Sequence, residues 1–177
     1  MNPDNPVYRS PYEAYPFLAD APENLMCDFE LMTDRMASEI GLLHALATEG
    51  HIRADLLAIC EMVYHMNPTL RTELTVTTEE AAWLLMKTNE LKEAVTGRCD
   101  TFVLTQGSQA GCQAHLLRVR AKELVRLLYR HASQGHPVPE RLIDLANLLS
   151  GYFFMLAMRL NQLDGVDEIP YTSRNYR

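Results

Sequence analysis

Four cations recur at every fourth position in one stretch of this chain: Arg118, Lys122, Arg126 and Arg130. In a helix each step of four drifts by only about 40°, so the four form one slanting stripe. Such a stripe can hold the phosphates of an anionic ligand, or it can face water and pair with acids. Just ahead of it stands Phe102-Val103-Leu104-Thr105-Gln106-Gly107-Ser108, followed by His115. Gly107 and Ser108 stand where the helix that carries the stripe is expected to start. With Lys122, Arg126 and Arg9 they make the set of anion or nucleotide candidates. Phe102 reads equally as one wall of a ligand site and as a core anchor beside a loop.

Other chemistries find little support. The six histidines, His44, His51, His65, His115, His131 and His136, do not fall at metal-ligand spacing with the cysteines, and no metal site is expected. Cys27, Cys60, Cys99 and Cys112 are spread widely and contain no C-x-x-C pair, so they read as buried thiols. No nucleophile elbow, Walker loop or dinucleotide fingerprint is present. The formal charge of −7 argues against a nucleic-acid or anionic-membrane surface. The first residues show neither a basic nor an apolar leader segment, and no uninterrupted apolar run approaches a bilayer span. The expected location is the cytoplasm.

The elements that must position these residues are helices. At 177 residues the chain fits one domain, and 47% hydrophobic content suits a packed core. Residues 1–22, rich in proline and aromatics, read as an extended arm that needs a surface to lie against. A helical bundle is expected over residues 23–163 and a polar tail over 164–177. The first helix is expected to begin near Pro22 and stop at Gly50, with Leu31, Ile40, Leu43 and Leu46 apolar. The second occupies residues 51–65. The third starts at the capping box Thr77-x-x-Glu80 and ends near Gly97. The fourth runs from Ser108 to Gly135, with Leu116, Leu117, Leu124 and Leu127 on its apolar side. The fifth carries Pro139 in its first turn and reaches Leu163. Its segment Tyr152-Phe153-Phe154-Met155-Leu156-Ala157 is apolar nearly all round and belongs in the centre or against another subunit. Strand signals at residues 74–76 and 102–104 are too short for a sheet. The expected class is all-α, a five-helix bundle.

Three segments together resemble the PduO-type ATP:cob(I)alamin adenosyltransferases. Residues 102–108, then His115 and Arg118, resemble F-V-L-P-G-G-S followed by H-x-x-R-x-x-x-R-R-x-E-R, and the interval from Phe102 to His115 to Arg118 fits without a gap. Asp34-Arg35-Met36-Ala37-Ser38-Glu39-Ile40-Gly41 is similar to D-E-L-N-S-x-I-G, and residues 147–157 to N-R-L-S-D-Y-L-F-V-L-A. Asn161 and Gly165-Val166-Asp167-Glu168 fit the end of the pattern.

The resemblance implies a ferritin-like bundle assembled as a homotrimer, with sites between subunits. It implies cobalamin as ligand and attack of cob(I)alamin on the 5′ carbon of ATP, displacing triphosphate. It places Phe102 at the apolar wall that keeps the lower ligand off cobalt, and pairs Asp34 with Arg118 across the subunit interface. Asn147 and Ser150 join these on the corrinoid side. A corrinoid-dependent enzyme or reductase is the implied protein partner.

The nucleotide side departs from the family pattern. Where the family opens with a Gly-rich phosphate turn, residues 7–18 contain no glycine, and proline has no N–H to donate. R-R-x-E-R becomes Lys122-Glu123-Leu124-Val125-Arg126, Gly151 replaces an Asp, and Arg35 replaces a Glu. Weak handling of ATP and Mg is expected. Beside the working transferase stand two other readings: a non-catalytic corrinoid-binding or delivery protein, and a structural or regulatory trimer without cofactor.

Overall fold

A computed structural model of the chain describes residues 8–21, 23–98 and 100–175. It contains five helices, α1 (Leu25–Leu46), α2 (Gly50–Met66), α3 (Thr78–Ala94), α4 (Gln109–Ser133) and α5 (Glu140–Leu163), and no strand among the described residues. Helix starts follow local chemistry. Asn24 caps α1 by accepting from the Met26 amide. Thr77 and Glu80 close the capping box of α3 from both sides, at 3.2 and 2.7 Å. Ser108 caps α4 by accepting from Gly111 N–H at 3.1 Å. Pro139 stands just ahead of α5.

One boundary differs from expectation. Gly50 does not stop α1; it opens α2, and the break falls at residues 47–49. Ala47 and Glu49 have extended backbone there. Glycine suits either end of a helix, so its presence marks the break without fixing the side.

α4 packs against both α1 and α5, α2 against α1, and α3 against α5. The core between them includes Phe29, Met36 and Ile40 of α1, Leu117 and Leu124 of α4, and Tyr152, Phe153 and Leu156 of α5. α5 is long and apolar enough by length and composition to cross a bilayer, although Arg141, Asp144 and Arg159 interrupt its apolar run. More than half of its apolar window is buried in the bundle, as befits a core helix. Two leucines read as core-facing, Leu31 and Leu116, are instead about half exposed.

The described parts of the arm and the tail are both tied down. Arg71, just after α2, stacks over Phe17 of the arm at 3.7 Å and bridges to Asp20 of the arm at 2.7 Å and to Glu30 of α1 at 2.6 Å. The tail runs antiparallel to the segment after α3: Leu104 N–H donates to Ile169 at 2.9 Å and Tyr171 N–H to Phe102 at 2.7 Å, around a single bridge between Val103 and Pro170.

Candidate functional site

A cavity of about 520 Å³ opens where the segment after α3 passes over α4 and α5. Its lining includes Phe102, Val103, Arg118, Lys122 and Phe154. Phe102 is 78% exposed, so it is no core anchor. A large aromatic held in water at a cavity rim is a binding feature until something covers it.

The floor is apolar with one cation. Arg118 lies 5.8 Å from the Phe154 ring and is half-buried; burial lowers its pKa. Its Nε is buried without a hydrogen-bond partner among the described residues. A guanidinium so placed favours an acceptor arriving from outside this chain. Behind it, His115 is buried with both ring nitrogens unpartnered among the described residues, 6.3 Å from Phe154. Burial, aided by the Arg118 charge, lowers its pKa to about 4, so it is neutral at pH 7. Lys122, one turn on, adds an exposed charge at the edge.

The stripe does not act as one surface. Arg118 and Lys122 belong to this cavity, whereas Arg126 and Arg130 line a second groove of about 380 Å³ together with Arg35, Arg120 and Glu123. There Glu39 accepts from Arg35 at 2.9 Å and from Arg120 at 3.3 Å, and Arg120 bonds Glu123 at 2.7 Å. The two charges that depart from the family pattern, Arg35 and Glu123, therefore sit in one groove.

The remaining candidates lie elsewhere. Asp34 is on α1 in a third cavity of about 340 Å³ with Tyr15, Glu30, Tyr64 and Asn67, and accepts from Tyr64 Oη at 3.2 Å. Within one chain no Asp34–Arg118 ion pair forms among the described residues. Asn147 is exposed and donates back to Ile143 O at 3.0 Å, while Ser150 is buried; neither lines the Phe102 cavity. Arg9 is held by Glu13 at 2.9 Å and Pro16 O at 2.8 Å, and lines neither of the cavities to which the stripe belongs.

Gly107 and Ser108 are committed to structure. Asn161, fully buried near the end of α5, accepts from Ser108 N–H at 3.0 Å and donates to Gln106 O at 3.1 Å. Gly107 has φ +145°, and a Cβ there would overlap the Asn161 side chain. The glycine is needed for both reasons. Phe154 is a site residue that the sequence candidates lack; the sequence reading places it only in the apolar segment of α5, and its position in N-R-L-S-D-Y-L-F is the available signal. No cluster of three or more metal-ligating side chains occurs among the described residues.

The chain belongs to the cobalamin adenosyltransferase family, whose profile matches residues 29–160. No curated protein matches the sequence. Among solved structures it is similar to a Phe-to-His variant of the PduO-type ATP:corrinoid adenosyltransferase from Lactobacillus reuteri complexed with cobalamin and ATP. That likeness has a TM-score of 0.77 and 16% identity, covering 91% of this chain and 97% of the other. A Phe-to-Ala variant of that protein, also complexed with cobalamin and ATP, gives 0.75 and 18%, over 85% and 87% of the two chains. An Arg-to-Lys variant complexed with ATP gives 0.75 and 19%, over 84% and 88%. At this identity the likenesses establish the fold: an all-α bundle of the adenosyltransferase type.

Proposed function

We propose that this protein is a corrinoid-binding adenosyltransferase whose nucleotide side is weakened. The observation that carries the corrinoid half is the exposed Phe102 above a cavity floored by Phe154 and a desolvated Arg118. A corrinoid offers a broad apolar face rimmed by amide groups, and that surface suits two aromatics beside a guanidinium with free donors. When bound, cob(I)alamin supplies the nucleophile that takes the 5′-deoxyadenosyl group of ATP. Phe102 excludes water and the lower ligand from the cobalt, and Arg118 fixes the neighbouring surface.

The protein acts as a cytoplasmic homotrimer in this reading. Arg118 of one subunit then meets Asp34 of the next, giving the half-buried guanidinium its missing acceptor. Exposed Leu31 of α1 and Leu116 of α4 would be covered in the same contact.

The nucleotide half rests on Lys122 and Arg126. They face different cavities, Arg9 is engaged within the arm, and Gly107 and Ser108 are engaged by Asn161 and the helix cap. Four arginines converge on the second groove, but Arg35 and Arg120 are already paired with Glu39 and Glu123, so the charge there for a triphosphate is partly neutralised. This favours a second reading, in which the protein holds cobalamin without adenosylating it and passes it to a corrinoid-dependent enzyme or reductase.

Anaerobic titration of cob(II)alamin, followed by absorbance and electron paramagnetic resonance, tests the shared part of both readings. Conversion of the bound corrinoid to a form without its lower ligand supports them. An unchanged spectrum at saturating protein points instead to a trimer with no cofactor.

A further inference from the structure

Phe102 is mostly solvent-exposed, so burial of its own side chain does not hold it at the cavity rim. Its backbone does. Tyr171 N–H donates to the Phe102 carbonyl at 2.7 Å, and Leu104 N–H donates to Ile169 O at 2.9 Å. A third tie, Gln106 Nε2 to Asp167 O at 3.0 Å, closes the other end. The placement of Phe102 therefore depends on residues 166–171, far away in sequence.

That segment has an anchor. Glu168 has a side chain only 8% exposed, and its carboxylate accepts from Arg98 at 2.6 Å and from Asn161 Nδ2 at 3.3 Å. Arg98 also donates to Val166 O at 2.5 Å. A carboxylate this buried persists where its charge is paired and its oxygens are bonded. Arg98, just after α3, and Asn161, on α5, thus grip the tail on both sides. Asn161 at the same time fixes Gln106 and Ser108, so one buried amide joins the tail to the Phe102 segment.

We infer that residues 166–171 form a strap that sets the position of Phe102, with Glu168 as its anchoring residue. Glu168 is a positioning residue: it acts on the bound corrinoid through Phe102 and lines no part of the cavity. The functional half of this inference rests on the corrinoid reading above; the positional half does not.

Two variants of the full chain separate the effects. Tyr171→Pro removes the N–H that holds the Phe102 carbonyl and leaves the bundle untouched, because Tyr171 is exposed. Glu168→Ala removes the anchor. Without ligand, amide exchange over residues 101–106 should rise by about tenfold or more in both, the change expected on losing one well-made hydrogen bond, while α4 and α5 stay protected. With cob(II)alamin bound, both should move the spectrum at least halfway towards that of Phe102→Ala, a signature that general destabilisation does not produce. Parent-like exchange over 101–106 in both variants overturns the strap. So does a parent-like spectrum in both variants when Phe102→Ala changes it. If Phe102→Ala also leaves the spectrum unchanged, the corrinoid reading has failed, and the exchange result alone decides the strap.

Discussion

Arg35 and Glu123 face one groove between α1 and α4, linked through the Glu39 carboxylate and the Arg120 guanidinium. In the family pattern the first of these positions is a Glu and the second an Arg. The two departures are a reversal of sign within one network: Glu123 pairs with Arg120 on its own helix, Arg35 with Glu39 on the other, and Arg120–Glu39 joins them. Single reversals, Arg35→Glu or Glu123→Arg, should each destabilise modestly. The double variant should recover about 0.5–1 kcal/mol of the summed loss, the scale of partly exposed pairs. Urea unfolding of all four proteins checks this; strict additivity would separate the two positions.

Asn161 should be costly to change. Asn161→Ala leaves the Ser108 amide and the Gln106 carbonyl without their partner, and buried groups so stranded cost about 2–4 kcal/mol together. Gly107→Ala should also destabilise, through the +145° φ and overlap with Asn161. Because the overlap disappears with the side chain, the double variant should lose less than the sum. Denaturant midpoints would reveal it, and full additivity would contradict the contact.

His115 gives a pH dependence of definite sign. Its folded pKa is near 4 against 6.5 when unfolded, so between those values the unfolded chain binds more protons. Stability is then complete above about pH 6.5 and falls as pH drops towards 4, by roughly 2–3 kcal/mol at most. Burial and neighbouring His136 lower His131 as well, adding a loss of the same sign. The check is thermal unfolding at pH 7 and pH 5 for the parent and His115→Leu. The variant should show a smaller drop; equal drops would place the acid sensitivity elsewhere.

Much of the bundle is legible in the sequence because helix starts are local. Thr77 with Glu80 and Ser108 with Gly111 carry their own signals. The site is less so. The exposure of Phe102 depends on backbone pairing with Ile169 and Tyr171, more than sixty positions away, and no local pattern reports that. The stripe is sound as a periodicity, yet three successive drifts of about 40° carry Arg130 roughly a third of a turn from Arg118, enough to reach a different groove. Leu31 and Leu116, both about half exposed, show the remaining gap: periodicity marks an apolar face without telling core from surface.

On the corrinoid side, Phe102→Ala should restore a water or lower ligand to the cobalt of bound cob(II)alamin. Asp34→Asn should weaken assembly and corrinoid binding together by leaving Arg118 unpaired between subunits. Resonance spectra and light scattering report the two effects. Parent-like behaviour in both variants would mean the inherited site is not used.

The most direct test of the account is one anaerobic reaction of protein, cob(II)alamin, reductant and MgATP, followed by absorbance. Each charge-assisted contact to a triphosphate is worth roughly 1.5–3 kcal/mol, so losing three weakens binding by several orders of magnitude. The predicted result is a prompt spectral change on corrinoid binding, then formation of adenosylcobalamin that is slow and unsaturated at millimolar MgATP. Rapid turnover saturating at micromolar MgATP would contradict the weakened nucleotide side, and absence of any corrinoid change would contradict the Phe102 site itself.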